Sequence, residues 1–129
     1  MNSIALKNKR ILIAEDDDAC RYLWELTLEA IGCCFVIVKD GQEAVDQAKL
    51  NKFDIVLMDL RMPNINGYEA AAALRAIDKA VPIIALTGYA RAWEDGKCQA
   101  CGMNDYLTKP CTKEQLIEKL LKWTCKVNL

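Results

Sequence analysis

In this 129-residue sequence, four apolar runs each stop at residues able to do chemistry. "RILIAE" leads into Glu15, Asp16, Asp17 and Asp18, "FDIVLMD" ends on Asp59, "VPIIALT" ends on Thr87, and "DYLT" is followed by Lys109 and Pro110. Brought together, these would give several carboxylates, one hydroxyl and one ammonium. Clustered carboxylates repel one another unless a cation is present. The chain has no histidine, and an all-oxygen donor set selects Mg2+ or a similar hard ion. Magnesium keeps several waters and takes one or two carboxylates plus phosphate oxygens, so such a site is half built until a phosphoryl group arrives. A phosphoryl group in turn needs a nucleophile, a neutralising cation and donors on its other oxygens, which Asp59, the metal, Thr87 and Lys109 would supply.

Sequence separations of tens of residues collapse to one cleft only if the apolar runs are parallel strands sharing a carboxyl edge. The pattern supports this. Strands are expected at 10–15, 34–38, 53–59, 81–87 and 105–108, each a continuous apolar run rather than an alternating one, as buried parallel strands are. Helices are expected between them. From Asp17 to Ile31, positions Cys20, Leu23, Trp24, Thr27 and Ile31 fall at helical spacing, with Gly32 as the terminating residue. Gln42–Leu50 places Ala44, Val45 and Ala48 on one face. Tyr68–Ile77 is alanine-rich, Arg91–Cys101 ends at Gly102, and the last helix starts at a capping box, Thr112 with Gln115, and continues through Leu116, Ile117, Leu120 and Leu121. Five βα units predict an α/β fold: a doubly wound five-stranded parallel sheet, order 2-1-3-4-5, flavodoxin-like, in three α/β/α layers. Its ligand site lies outside the carboxyl ends of the first and third strands.

Composition narrows the function classes. The length suits one domain, with an expected core of about 9–125. A net charge of −1 provides no basic field for nucleic acid, and no apolar run approaches the ~18 residues of a membrane span. "MNSIALKNKR" has no apolar h-region, which predicts a cytoplasmic protein. Seven cysteines cannot all pair and read as reduced thiols. Cys98 and Cys101 form a CxxC, but just before Gly102 at a helix end rather than opening a helix, and without histidine no zinc site completes around it. Cys33 and Cys34 read as strand residues.

The segments "AEDD", "LMDLRMPNINGYE", "IIALTGYA" and "MNDYLTKP" resemble, in order and over essentially the whole chain, the signatures of the response-regulator receiver domain of two-component signalling. The resemblance implies Asp59 as phosphoacceptor and Glu15 and Asp16 as the acidic pair that holds Mg2+, with Mn2+ as a substitute. It also implies the backbone carbonyl of Arg61 as a further metal ligand, Thr87 as switch hydroxyl, Lys109 as the phosphate-pairing cation, Tyr106 as the aromatic switch and a cis bond before Pro110. Strand periodicity and the family's spacing to an arginine one turn into the helix, here Arg21, favour Glu15 and Asp16 as the pair, with Asp17 and Asp18 as helix cap and first-turn acids. Arg61 and Tyr89, two past the acceptor and two past the threonine, would flank the path of a hydrolysing water. Gly88 and Tyr89 depart from the commonest pattern, which bears on kinetics.

The implied partner is a sensor histidine kinase or a histidine phosphotransfer protein, and the implied state a monomer or weak dimer through the helix 4/strand 5/helix 5 face. Without histidine the chain cannot relay a phosphoryl group through one of its own. No output module is expected after the last helix, so the domain is either a stand-alone regulator or the receiver of a longer protein such as a hybrid histidine kinase. Two rivals share the chemistry or the fold. A haloacid-dehalogenase-like phosphatase would use a D-x-D within "DDDA", but this leaves Asp59 unexplained and lacks the residue that should follow. An FMN carrier needs a Ser/Thr/Gly-rich loop after the first strand, where this chain is acidic.

Overall fold

The computed structural model of the chain describes residues 5–62, 65–89 and 91–125; Pro63, which the sequence pattern assigns to a loop after Asp59, lies outside them. The strands are β1 (Arg10–Ala14), β2 (Cys34–Val38), β3 (Ile55–Asp59), β4 (Ile83–Thr87) and β5 (Asp105–Thr108). They pair in parallel in the order β2-β1-β3-β4-β5, the predicted topology. The helices are α1 (Asp18–Ile31), α2 (Gly41–Leu50), α3 (Gly67–Ile77), α4 (Arg91–Glu94), α5 (Lys97–Ala100) and α6 (Lys113–Thr124).

Every residue of β3 and β4 is buried, because helices cover both faces of the sheet. Alternation along the strands sorts the side chains into two cores. Leu12, Val56, Met58, Ile83 and Ala85 pack with Ala44 and Val45 of α2 and Ala70, Ala71 and Leu74 of α3. Ile11, Ile13, Ile55, Leu57, Ile84 and Leu86 pack with Trp24, Leu28 and Ile31 of α1 and Leu116 and Leu120 of α6. Helix ends follow local chemistry: the Asp17 carboxylate caps α1 by accepting from the Cys20 N–H, and Gly32, at φ 89°, ends it. Thr112 and Gln115 complete the expected capping box on α6.

Three features differ from the sequence reading. The helix expected over 91–101 is two single turns, since Gly96 takes φ 80°, a left-handed conformation that interrupts a helix and that glycine adopts freely. None of α4 is buried, and Cys98 alone in α5 is, so this segment rests lightly on the sheet. On α1 the buried set is Trp24, Leu28 and Ile31, spaced i, i+4, i+7, while Leu23 is rotated off that stripe and is 60% exposed. Cys33 is buried but precedes β2 rather than lying in it. Cys98 and Cys101 are free thiols.

Two contacts fix the site's frame. A Cβ at Gly67 would collide with the carbonyl oxygen of Asp59 and lie 2.8 Å from Leu60 Cα, so only glycine lets α3 begin against the end of β3. At the start of β5, the buried Asp105 carboxylate accepts from Lys119 Nζ and Trp123 Nε1, both at 2.8 Å, and from the Tyr106 N–H. Lys122 Nζ is 3.5 Å away. These bonds tie α6 to β5 and so hold the connection that carries Lys109.

Candidate functional site

Sheet register assembles the site. Ala14 pairs with Met58, so Glu15 and Asp59 emerge side by side from β1 and β3. Asp59 pairs with Leu86, which sets Thr87 one step beyond, and Thr87 pairs with Thr108, so Lys109 follows next. Backbone bonds continue past the strands: Glu15 N–H to Val38 O at 3.0 Å, Leu60 N–H to Leu86 O at 3.2 Å and Lys109 N–H to Thr87 O at 2.7 Å. The result is a cleft of about 530 Å3 at the carboxyl edge, lined by Glu15, Asp16, Asp59, Thr87 and Lys109, with Arg61 and Tyr89 also on its walls. The Lys109–Pro110 peptide bond is cis.

Lys109 is the hub of the charges. Its Nζ donates to Glu15 Oε1 at 3.0 Å and Oε2 at 3.3 Å, and to Asp59 Oδ2 at 3.2 Å. The other acceptor oxygen, Asp59 Oδ1, receives the Arg61 N–H at 3.1 Å. Glu15 has no solvent exposure and also accepts from Trp24 Nε1 at 3.2 Å and from the Asp17 N–H at 3.4 Å. Burial, reinforced by the adjoining Glu15 carboxylate, pushes the Asp59 carboxyl up to about 7. Burial would raise Glu15 as well, but hydrogen bonding with Asp59, Lys109 and Trp24 and the ammonium charge hold it below the usual carboxylate range. Burial disfavours the Lys109 charge, yet the two carboxylates outweigh this and raise its pKa.

The donor set fits a hard divalent cation. One carboxylate oxygen from each of Glu15, Asp16 and Asp59 lies within 4.8 Å of the others, and none of the three contributes a nitrogen or sulfur. The backbone of the acidic run is fixed from α1, where Arg21 Nη1 donates to the carbonyls of Glu15 at 3.0 Å and Asp16 at 2.8 Å. Its Nη2 pairs with Asp18, whose side chain is 93% exposed and takes no part in the cleft. The D-x-D of the phosphatase alternative is thereby split.

Of the remaining predicted residues, Thr87, Arg61 and Tyr89 line the cleft and Tyr106 does not. The Thr87 hydroxyl is engaged with the backbone of Tyr89, donating to its carbonyl at 3.1 Å and accepting from its N–H at 3.0 Å. Arg61 is exposed, and Tyr89 is 57% exposed. Tyr106 is half-buried, its ring stacked on Trp93 of α4 with centroids 5.5 Å apart and planes 27° apart, and Lys119 Nζ sits 5.7 Å from its ring centroid.

Residues 11–121 match the family profile of the response regulator receiver domain. The chain belongs to that family. It is a receiver domain of two-component signalling. Among solved structures it is similar to the receiver domain of sensor histidine kinase PA1611 from Pseudomonas aeruginosa, which has a magnesium ion coordinated in its active-site cleft. That likeness has a TM-score of 0.86 at 36% identity and covers 92% of this chain and 99% of that one. It is also similar to the receiver domain of Ssk1, crystallised with the histidine phosphotransfer protein Ypd1 of Saccharomyces cerevisiae, with TM-score 0.85 and 30% identity over 93% of this chain and 91% of that one. The sensor protein GacS of Pseudomonas syringae is 40% identical over 120 residues, 89% of this chain but 13% of GacS, so the receiver spans a small part of that relative. Among the described residues no helix is long and apolar enough to cross a membrane.

Some residues that shape the receiver's cleft are not evident from sequence patterns alone. Trp24 reads as one more apolar position on α1, yet its N–H reaches Glu15; the available signal is that a buried indole N–H needs an acceptor. Trp93, against the Tyr106 ring, lies in a segment whose helical pattern gives no hint of the Gly96 break.

Proposed function

We propose that this receiver accepts a phosphoryl group on Asp59 from the phosphohistidine of a sensor histidine kinase or histidine phosphotransfer protein. The observation that carries the reading is the single ammonium of Lys109 held between Glu15 and Asp59 beside a third carboxylate, Asp16, at the sheet's carboxyl edge. An oxygen of the Asp59 carboxylate attacks phosphorus, the bond from phosphorus to the imidazole nitrogen breaks, and the imidazole leaves with the electron pair. Glu15, Asp16, Asp59 and the Arg61 carbonyl would hold Mg2+, with Mn2+ as a substitute, and the ion supplies positive charge to the phosphoryl oxygens when bound. Lys109 then shifts its donors from Asp59 to a phosphoryl oxygen. The Arg61 N–H already faces Asp59 Oδ1. The domain catalyses only its own phosphorylation and dephosphorylation.

The added charge of about −1.5 to −2 draws new donors. Thr87 exchanges its bonds to the Tyr89 backbone for one to the phosphoryl group, and Tyr106 turns toward the space released, giving up its stack on Trp93. The face made by α4, α5, β5 and α6 changes accordingly and presents the signal to a partner or a second copy. The test is transfer from a panel of ³²P-labelled histidine phosphotransfer proteins and kinase cores in Mg2+. Label is expected to leave at least one donor's histidine and appear on this chain. Retention by every donor, while a reference receiver is labelled, would remove the proposal.

Arg61 and Tyr89 set the lifetime of the phosphoryl group. Hydrolysis needs a water in line with the bond opposite Asp59, and both large side chains, which line the cleft, would flank that approach. Misalignment by about 1 Å costs on the order of 10²-fold in rate, so clearing the approach is expected to speed hydrolysis by roughly tenfold. Arg61→Asn and Tyr89→Ala, singly and together, are to be followed by phosphate release in Mg2+, with the double variant fastest. Unchanged or slower release would show that neither side chain shields the bond.

A further inference from the structure

We infer that Trp24 is a positioning residue for the phosphoryl site, acting through the bond from its indole N–H to Glu15 Oε1. The inference rests on the reading of Glu15 as a carboxylate of the metal site. Glu15 is fully buried, and an ionised carboxylate out of water needs donors on both oxygens. Apart from the facing Asp59 carboxyl, it has three: the Lys109 ammonium, the Trp24 N–H at 3.2 Å and the Asp17 N–H at 3.4 Å. The ammonium is shared with Asp59 and is the donor that an incoming phosphoryl group, with its larger negative charge, draws away. The Asp17 contact is long. The indole N–H is neutral and mounted on a ring only 8% exposed, wedged into the core between α1 and the sheet, so it stays in place as the cleft's charges change. It is also a donor without other use, since an indole N–H cannot accept and needs a partner when buried. Trp24 therefore keeps the Glu15 carboxylate directed into the cleft while Lys109 moves between carboxylate and phosphoryl oxygen. The pairing depends on the reach of glutamate; aspartate at this position would withdraw the carboxylate by one methylene.

The experiment is a double-mutant cycle on the full chain, with the Mg2+ dissociation constant read from the amide resonances of Arg61 and Gly88. Trp24→Phe keeps a ring and removes the donor, and loss of such a supporting hydrogen bond is expected to weaken Mg2+ binding roughly tenfold. In a Glu15→Asp background, where the indole has lost its acceptor, the same substitution is expected to change binding by less than about twofold. An unchanged constant in Trp24→Phe, or the same tenfold loss in both backgrounds, would show that the ring acts only by packing and would overturn the inference. Wild-type chain that binds no Mg2+ would overturn this inference and the metal-site reading together. A second measurement needs no substitution at Trp24. Its indole N–H resonance, followed in wild type and Glu15→Gln, is expected to move upfield and exchange faster in the variant, and an unmoved, equally protected resonance would also overturn the proposal.

Discussion

Asp59→Asn is expected to gain no phosphoryl group from acetyl phosphate in Mg2+, whereas the wild-type chain gains one that is acid-stable and labile to hydroxylamine, as an acyl phosphate is. The amide of asparagine offers no ionised oxygen to attack phosphorus, so the loss should be complete rather than partial. The substitution leaves the fold intact for a reason visible in the cleft. Asp59 is 5% exposed and faces Glu15, another carboxylate, and burial, reinforced by that apposition, already makes its charge unfavourable, holding its pKa up to about 7. A neutral amide removes the repulsion, while Lys109 keeps its bonds to Glu15 at 3.0 and 3.3 Å. Circular dichroism and thermal denaturation of Asp59→Asn should therefore match or exceed wild type, and labelling that persists in a folded Asp59→Asn would take Asp59 out of its role. Chelation of Mg2+ is expected to abolish wild-type labelling as well.

The second large effect is on stability. Asp105→Asn is expected to destabilise the domain by about 2 kcal/mol, since the buried carboxylate receives a charge-assisted bond from Lys119 and a bond from Trp123, and its replacement leaves a half-buried ammonium poorly matched. For a domain of this size that lowers the thermal midpoint by roughly 8 °C. The pH dependence has a definite sign. Burial acts to raise the Asp105 pKa, but bonds from Lys119, Trp123 and the Tyr106 N–H, with the Lys119 charge, outweigh it and hold the group below its ordinary value of 3.8. A depressed carboxylate stabilises the fold fully above its unfolded pKa and loses that contribution as pH falls through the folded one. The midpoints of wild type and Asp105→Asn should thus stay apart at neutral pH and converge below about pH 4. A constant gap across that range would assign the loss to packing instead of charge.

How far the sequence revealed this molecule depends on how local each signal is. Asp59 was legible because a charge ending a fully apolar run has few structural explanations, and the parallel topology followed from five such runs spaced for intervening helices. Glu15, Thr87 and Lys109 were legible by the same rule of strand ends, and the register of β1, β3, β4 and β5 then places them at one edge. The Gly96 break was not, because Arg91–Cys101 keeps a helical pattern and only the backbone angle of one glycine interrupts it. Asp105 passed as an unremarked strand residue, since its partners lie 14 and 18 residues downstream on another element. Trp24 shows only its apolar surface in the helical pattern, since periodicity does not say where an indole N–H points. Leu23 shares the helical spacing of α1, yet it is Leu28 that completes the buried stripe.

The central claim, transfer of phosphorus to one carboxylate, is tested most directly by locating the modified residue. Borohydride reduces an aspartyl phosphate to homoserine, so wild-type chain phosphorylated by a phosphohistidine donor, reduced and digested should yield homoserine at position 59 by peptide mass spectrometry and at no other aspartate. Homoserine at Asp16, Asp17 or Asp18, or a fully labelled chain with unmodified Asp59, would contradict the account.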